Sequence, residues 1–268
     1  MAINIPFHKY QGAGNDFVMV DNRAGIFPYA ADVALIARLC HRRFGIGADG
    51  LILLENAPGF DFRMVYFNAD GRESSMCGNG GRCIVAFAKH LGLIGDHCRF
   101  IAIDGPHEAR MATPDWVELK MTDVVKVTPT STGDYILNTG SPHYVQFVDQ
   151  LDALPVAELG RKIRYSETFR EEGINVNFVE PTEKGIAVAT YERGVEDETL
   201  SCGTGVTAAA IALYVKNPET KNTAVSIATK GGQLQVRFKP VGDRFEEVWL
   251  CGPAVRVFEG MFPDTSPA

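Results

Sequence analysis

The segments SSMCGNGGRC at residues 74–83 and LSCGTGVTAAA at 200–210 each set a thiol, Cys77 or Cys202, on a glycine step that runs into a helix-like stretch. A helix N-terminus carries unpaired backbone N–H groups and a partial positive charge, so it holds small anions and favours a thiolate over a thiol. Gly78, Gly80 and Gly81 in the first step, and Gly203 and Gly205 in the second, lack a Cβ and are expected to let a ligand approach the backbone. Each step therefore pairs a sulfur of expected low pKa with a cradle of amide hydrogens. Two such steps acting on one carboxylate would move a proton. One thiolate takes the α-hydrogen, the amides hold the enediolate charge, and the opposite thiol returns a proton to the other face. The stereocentre inverts. Neither pyridoxal phosphate nor a metal is demanded, because preorganised dipoles replace the electron sink a cofactor would supply.

Rival chemistries fit the same residues less well. A buried structural thiol in a glycine turn explains one cysteine but not a matched pair. The spacing Cys77-x5-Cys83 is not the C-x2-C of a metal site, and no H-x3-H partner is present. Neither glycine run ends in the Lys-Ser/Thr of a phosphate loop. A thiol–disulfide role for Cys77 and Cys202 stays open at this point.

Short runs rich in Val, Ile and aromatics, bounded by Gly, Asp or Asn, predict strands at 17–22, 51–55, 62–68, 99–104 and 116–121. One helix is predicted from Asp32 as N-cap to a stop at Gly45, with Leu35, Ile36, Leu39 and Cys40 on one face. A second follows Cys77, with Ile84, Phe87, Ala88 and Leu91 at helical spacing before Gly92. The second half repeats this order. YVQFVDQ (144–150) echoes FVMVDN, GINVNFVE (173–180) stands where GADGLILLE did, and IAVATYERG (186–194) matches FRMVYFNADG. The cysteine step and its helix to Val215 then recur, followed by the strand pair VSIATKGGQLQVRF plus EEVWL. An internal duplication is the reading. It predicts an α+β fold of two pseudo-symmetric lobes, each a mostly antiparallel sheet around a central helix, with the cleft between them as the ligand site. The first lobe is expected to span 1–126 and the second 127–254, joined by a linker at 122–134.

With 268 residues, 46% hydrophobic and 22% charged, the chain has the composition of a globular protein. Its net charge of -7, without clustered Lys or Arg, excludes a nucleic-acid or anionic-membrane surface and leaves a small molecule as the expected partner. The first residues lack a secretory pattern and no apolar stretch spans a bilayer, so the expected location is the cytoplasm, where six sparse cysteines stay reduced. The tail PDTSPA is expected to be disordered.

GAGNDFVMVDN, FNADGRESSMCGNGGRC and YERGVEDETLSCGTGVTAA resemble the signature segments of the diaminopimelate epimerase family, and the likeness runs on to GPAVRVFEG at 252–260. Proline racemases and hydroxyproline epimerases typically carry His at the position of Asn79. The phenazine-type isomerases lack the cysteine pair. The resemblance implies a cofactor-independent enzyme interconverting LL- and meso-2,6-diaminopimelate, a homodimer, and a terminal strand at 255–268 that returns to the first lobe. It implies Cys77 and Cys202 as the acid/base thiols, with Cys77 as donor and Cys202 as acceptor from LL to meso. Asn15, Asn68, Asn175 and Arg193 are implied to bind the distal amino acid end. Backbone at Gly78, Asn79, Gly203 and Thr204 would hold the reacting carboxylate, while His143 and Glu192 would poise the thiols and meet the substrate amino group. By residue type alone, His143 reads as a loop residue after Pro142. Arg193 has an independent argument, since a planar guanidinium suits a carboxylate. Two positions depart from the family pattern: Ser141 where many members have Asn, and Gly50 where some carry Gln. The alternatives are a proline-racemase-like epimerase of another amino acid and a non-catalytic amino acid binding protein.

Overall fold

A computed structural model of the chain describes residues 4–28 and 30–263. The tail expected to be disordered falls, from position 264 on, outside the described residues. The chain divides into two compact units: the first runs to Leu119 and resumes at Pro253, and the second is Lys120–Gly252.

The first unit opens with the hairpin of β1 (Asn4–Gly12) and β2 (Asn15–Asp21). Its two-residue turn, Ala13 and Gly14, has φ of 52° and 92°, the mirror-image turn that matches strand twist. β3 (Gly50–Glu55) runs parallel to β2 and antiparallel to β4 (Phe62–Asn68). β5 (His97–Ala102) pairs parallel with β4, and β6 (Gly105–Thr113) and β7 (Trp116–Lys120) follow antiparallel. The last strand of the chain, β17 (Val255–Pro263), lies antiparallel against β1.

The second unit repeats these pairings in order and sense. β8 (Val127–Pro129) pairs with β9 (Tyr135–Asn138) as β17 does with β1, and β9 pairs antiparallel with β10 (Pro142–Phe147). β10 is parallel to β11 (Asn175–Thr182), which is antiparallel to β12 (Gly185–Glu192). The short β13 (Asp197–Thr199) pairs with the end of β12, and β14 (Ala224–Thr229) joins β12 in parallel. β15 (Gly232–Val241) and β16 (Arg244–Pro253) complete the unit. The segment read as a linker is therefore structured. Residues 127–138 form the β8–β9 hairpin, and Val124 exchanges backbone hydrogen bonds with Phe245, so Thr and Pro content there marks a turn.

One helix is sheathed within each unit. α2 (Gly78–His90) is buried from Gly78 through Ala88, and α4 (Gly203–Lys216) is buried along most of its first ten residues. α4 has no polar face and must be enclosed, whereas α2 buries Asn79 and Arg82 and exposes only Lys89 and His90 at its end. The glycines and alanines of both keep them slim enough for strands to pass close. A Cβ at Gly80 would lie 3.0 Å from Ile52 Cδ1, one at Gly81 3.0 Å from Leu119 Cδ2 and Met76 Sδ, and one at Gly205 2.3 Å from Asn177 Oδ1. These three glycines serve helix-to-sheet packing, which corrects the expectation that they clear room for a ligand. α2 ends at the Leu91 C-cap, with Gly92 at φ 70° and Leu93 N–H bonded to Ala88 O.

Two further helices lie outside. α1 (Val33–Cys40) is capped by Asp32, whose Oδ1 accepts from Leu35 N–H at 2.9 Å, and it buries the predicted face. It stops at Cys40 and not at Gly45, because the chain folds back: Gly45 N–H bonds to His41 O and Ile46 N–H to Leu39 O. α3 (Val156–Arg164), which the sequence reading left out, covers Val176, Phe178 and Tyr191 in the second unit.

Candidate active site

Cys77 is the N-cap of α2 and Cys202 the N-cap of α4. Both have extended backbone (φ/ψ -94°/131° and -115°/112°), and their carbonyls accept the first helical bonds from Gly81 and Val206. Cys77 is half-buried, whereas Cys202 is buried with Sγ 3.5 Å from Thr204 Oγ1. All six cysteines are free thiols. Burial pushes Cys40, Cys83 and Cys98 up to about 12, so these are core residues with no nucleophilic role.

In the first unit a polar chain runs inward from the cysteine step. Arg82, fully buried one turn along α2, donates to Asn79 Oδ1 (2.8 Å). Asn79 donates to Asn15 Oδ1 (2.5 Å), and Asn15 donates to Asp49 Oδ2 (2.9 Å). Arg42 spans Asp49 and Asp16 at 2.7 Å each, and Lys9 reaches Asp16 at 2.8 Å and Gly47 O. Burial works against the Asp16 carboxylate, but bonds from Arg42 and Lys9 outweigh it and hold the group below the usual carboxylate range. Asn79 thus turns its side chain into the protein, toward Asn15 and Arg82. Asn68 ends β4 with an exposed side chain, its backbone closing the turn to Gly71 and Arg72. Gly50 stands opposite Asn68, where a Cβ would lie 2.5 Å from Tyr66 Cε2 and 2.4 Å from Phe67 O. The Tyr66 ring occupies the space a longer residue at 50 would enter, which is why this departure is a glycine.

In the second unit His143 is not a loop residue. It is the second residue of β10 and fully buried, because Pro142 opens the strand at a position that needs no N–H. Its Nδ1 lies 3.0 Å from Asn177 Nδ2, and its Nε2 is buried without a hydrogen-bond partner among the described residues. Burial, reinforced by the Arg193 charge, holds the ring neutral with a pKa lowered to about 3. Asn175, opposite His143 in the β10–β11 register, donates to Ser141 Oγ (2.8 Å) and Pro142 O (3.0 Å) and accepts from Arg193 N–H (2.9 Å). Ser141 therefore meets Asn175 directly, and Asn175 braces the backbone that carries Arg193. The exposed Arg193 side chain is anchored by Nη1 to Glu172 O at 2.9 Å. Burial raises the pKa of Glu192, the last residue of β12. Thr139 Oγ1 donates to Thr204 O at 2.9 Å, tying the β9–β10 turn to the first turn of α4.

Sequence reasoning missed Arg82, Asp49, Asn177, Thr139 and Thr190, whose Oγ1 donates to Asn177 Oδ1 at 2.9 Å. Two carried a usable signal: Asn177 shares a strand face with Asn175 by its spacing of two, and Arg82 is a charge directly before the apolar run Cys83–Ala88. His8, His90 and Glu259 also cluster on the first unit, at a face where Glu259 is already engaged by Arg256 at 2.6 Å.

The family model described as diaminopimelate epimerase matches the chain twice, at residues 7–127 and 135–257. A diaminopimelate epimerase of Flavobacterium psychrophilum is 53% identical over 254 residues, covering 94% of this chain and 98% of the relative. One of Aquifex aeolicus is 41% identical over 272 residues, covering 95% and 96%. Solved structures share the fold at low identity. A Bacillus anthracis phenazine biosynthesis protein of the PhzF family gives a TM-score of 0.73 at 14% identity, covering 97% of this chain and 99% of that one. A hydroxyproline epimerase from Agrobacterium vitis gives 0.69 at 15%, covering 99% and 94%. With two matches of one family model, and relatives that span nearly its whole length, this chain belongs to the diaminopimelate epimerase family.

Proposed function

We propose that the protein is a cofactor-independent epimerase that interconverts LL- and meso-2,6-diaminopimelate in the cytoplasm. The observation that carries this reading is the repeated site: each unit holds one cysteine as the N-cap of its enclosed helix, in a chain 53% identical to a diaminopimelate epimerase. One thiolate abstracts the α-proton, and the electron pair of the broken C–H bond moves into the carboxylate. Backbone N–H groups at Gly78, Asn79, Gly203 and Thr204 hold the enediolate charge. The other thiol then protonates the α-carbon from the opposite face and is left as the thiolate, so the two sulfurs exchange states with each turnover. Cys77 donates and Cys202 accepts from LL to meso. Arg193 pairs with the distal carboxylate, Asn15 and Asn68 meet the distal end, and Asn175 acts chiefly by bracing Arg193. Glu192 and His143 face the substrate amino group and the thiols.

Deuterium wash-in tests this. In D2O, LL-diaminopimelate should gain deuterium at one α-carbon as meso isomer accumulates. Exchange on proline or hydroxyproline but not on diaminopimelate would assign a racemase of another amino acid, and binding without exchange would mark a binding protein. The family likeness further implies a homodimer, which sedimentation of the full chain checks. No helix among the described residues is long and apolar enough to cross a membrane.

A further inference from the structure

Beneath the first turn of α4 lies a buried relay of three side chains. Thr190 Oγ1 donates to Asn177 Oδ1 at 2.9 Å, and Asn177 Nδ2 donates to the Tyr144 carbonyl at 3.0 Å. The same Nδ2 lies 3.0 Å from His143 Nδ1. His143 and Asn177 are fully buried and Thr190 nearly so. The backbone carbonyl decides the directions. Tyr144 O can only accept, so the Asn177 amide must turn its NH2 toward it, since the flipped amide would set two acceptor oxygens face to face. With one amide hydrogen on Tyr144 O, the other points at His143 Nδ1, and that nitrogen has to accept. A proton on Nδ1 would oppose two N–H donors in a buried site and forfeit a hydrogen bond there. The single proton of the neutral ring is thereby driven to Nε2, on the far side of the ring from Asn177.

We propose that Asn177 and Thr190 are positioning residues that hold His143 as the neutral Nε2–H tautomer, so that His143 enters the reaction as a hydrogen-bond donor and not as a base. The role in the reaction rests on the epimerase reading, whereas the tautomer rests on the relay alone. Three features give the relay its rigidity. The parallel β10–β11 register sets Tyr144 opposite Val176 and Val145 opposite Asn177. The antiparallel β11–β12 register pairs Asn177 with Thr190. From above, Gly205 closes it: a Cβ there would stand 2.3 Å from Asn177 Oδ1, 3.1 Å from Thr190 Oγ1 and 3.2 Å from Cys202 Cβ. The relay thus packs against the same helical turn that carries Cys202. An Nε2–H in this unit stabilises negative charge, on a thiolate or on a substrate carboxylate, and has no lone pair with which to take a proton. The proton inventory of the reaction then stays with the two sulfurs.

Histidine-selective 15N labelling of the full chain, read by long-range 1H–15N correlation, reports the tautomer directly. The resonances assigned to His143 by their loss in His143→Gln should show a protonated Nε2 and an unprotonated Nδ1, unchanged across the range where free imidazole titrates. In Asn177→Asp the new carboxylate can only accept, so Nδ1 should gain a proton. Deuterium exchange by that variant should fall about 10- to 100-fold in kcat, with KM held within about twofold, as for other partners that set a histidine tautomer. Thr190→Val, nearly isosteric, serves if Asn177→Asp folds poorly: it removes the donor to Asn177 Oδ1 but leaves the Tyr144 carbonyl, so the Nε2–H tautomer should persist while exchange falls less than in Asn177→Asp. His143→Gln, which keeps a side-chain N–H near the place of Nε2, should retain more exchange than His143→Ala. A wild-type ring protonated at Nδ1, or charged at neutral pH, overturns the tautomer. Equal loss in His143→Gln and His143→Ala overturns the donor role. Absence of exchange on diaminopimelate by the wild type removes the epimerase reading while the spectrum still decides the tautomer.

Discussion

The six cysteines separate by position into two kinds. Cys40, Cys83 and Cys98 are held as neutral thiols by burial and Cys251 is buried in β16, while Cys77 and Cys202 alone are helix N-caps preceding a glycine. Replacing either N-cap cysteine by Ala should lower deuterium exchange by about a hundredfold to ten-thousandfold, since each removes one of two obligatory proton carriers. Cys83→Ala should leave kcat close to wild type. His143 supplies a separate prediction, on stability. The unfolded imidazole binds a proton below its ordinary 6.5, and the folded ring does so only near 3. Between those values the unfolded chain holds more protons, so stability is complete above about pH 6.5 and is lost on acidification at about 1.4 kcal/mol per unit. Urea midpoints of wild type and His143→Gln near pH 7 and near pH 5 should show an acid-dependent loss in the wild type that is smaller in the variant. An equal loss in both would place the acid sensitivity elsewhere.

At the scale of elements, the enclosed helices depend on small residues for their fit. Gly205→Ala gains about 1 kcal/mol of helix propensity but drives a methyl to 2.3 Å from Asn177 Oδ1, which the relay cannot yield cheaply. Overpacking of this kind costs about 1–3 kcal/mol, so a net loss of stability is expected, with loss of exchange because the relay shifts. Gly80→Ala meets only the tip of Ile52 at 3.0 Å and should cost less. A larger fall in melting temperature for Gly80→Ala than for Gly205→Ala would contradict this account. On the outside, Asp32→Ala removes the α1 cap and should cost about 1 kcal/mol without touching exchange.

Across the whole molecule, the two units differ in how the chain builds them. The second is one continuous segment, Lys120–Gly252, whereas the first needs β17 from the chain's far end to pair with β1. β1 without β17 is left with a long open edge from Asn4 to Gln11. A fragment of residues 120–252 is therefore expected to fold cooperatively, and a chain ending at residue 252 to lose protection in the β1 amides while the second unit keeps its own. Hydrogen exchange followed by mass spectrometry reads both. Retained β1 protection in the truncated chain would show that the first unit closes without β17.

Most of the architecture was legible in the order of residues. Short runs of Val, Ile and aromatics bounded by Gly, Asp or Asn located most of the strands, and the recurrence of five blocks gave the two related units, because composition and turn signals are local properties. Local sequence also marked both cysteine steps and the Asp32 cap. It did not reveal that His143 is buried in a strand, that Gly80, Gly81 and Gly205 admit neighbouring side chains, or that 127–138 is a hairpin. Nor did it expose the Arg82–Asn79–Asn15–Asp49 chain or the Thr190–Asn177–His143 relay. Each of these depends on partners far apart in sequence whose meeting is set by strand register and by helix burial. Residue types thus specified which groups can carry protons and charge, and tertiary packing decided which way their hydrogen bonds point.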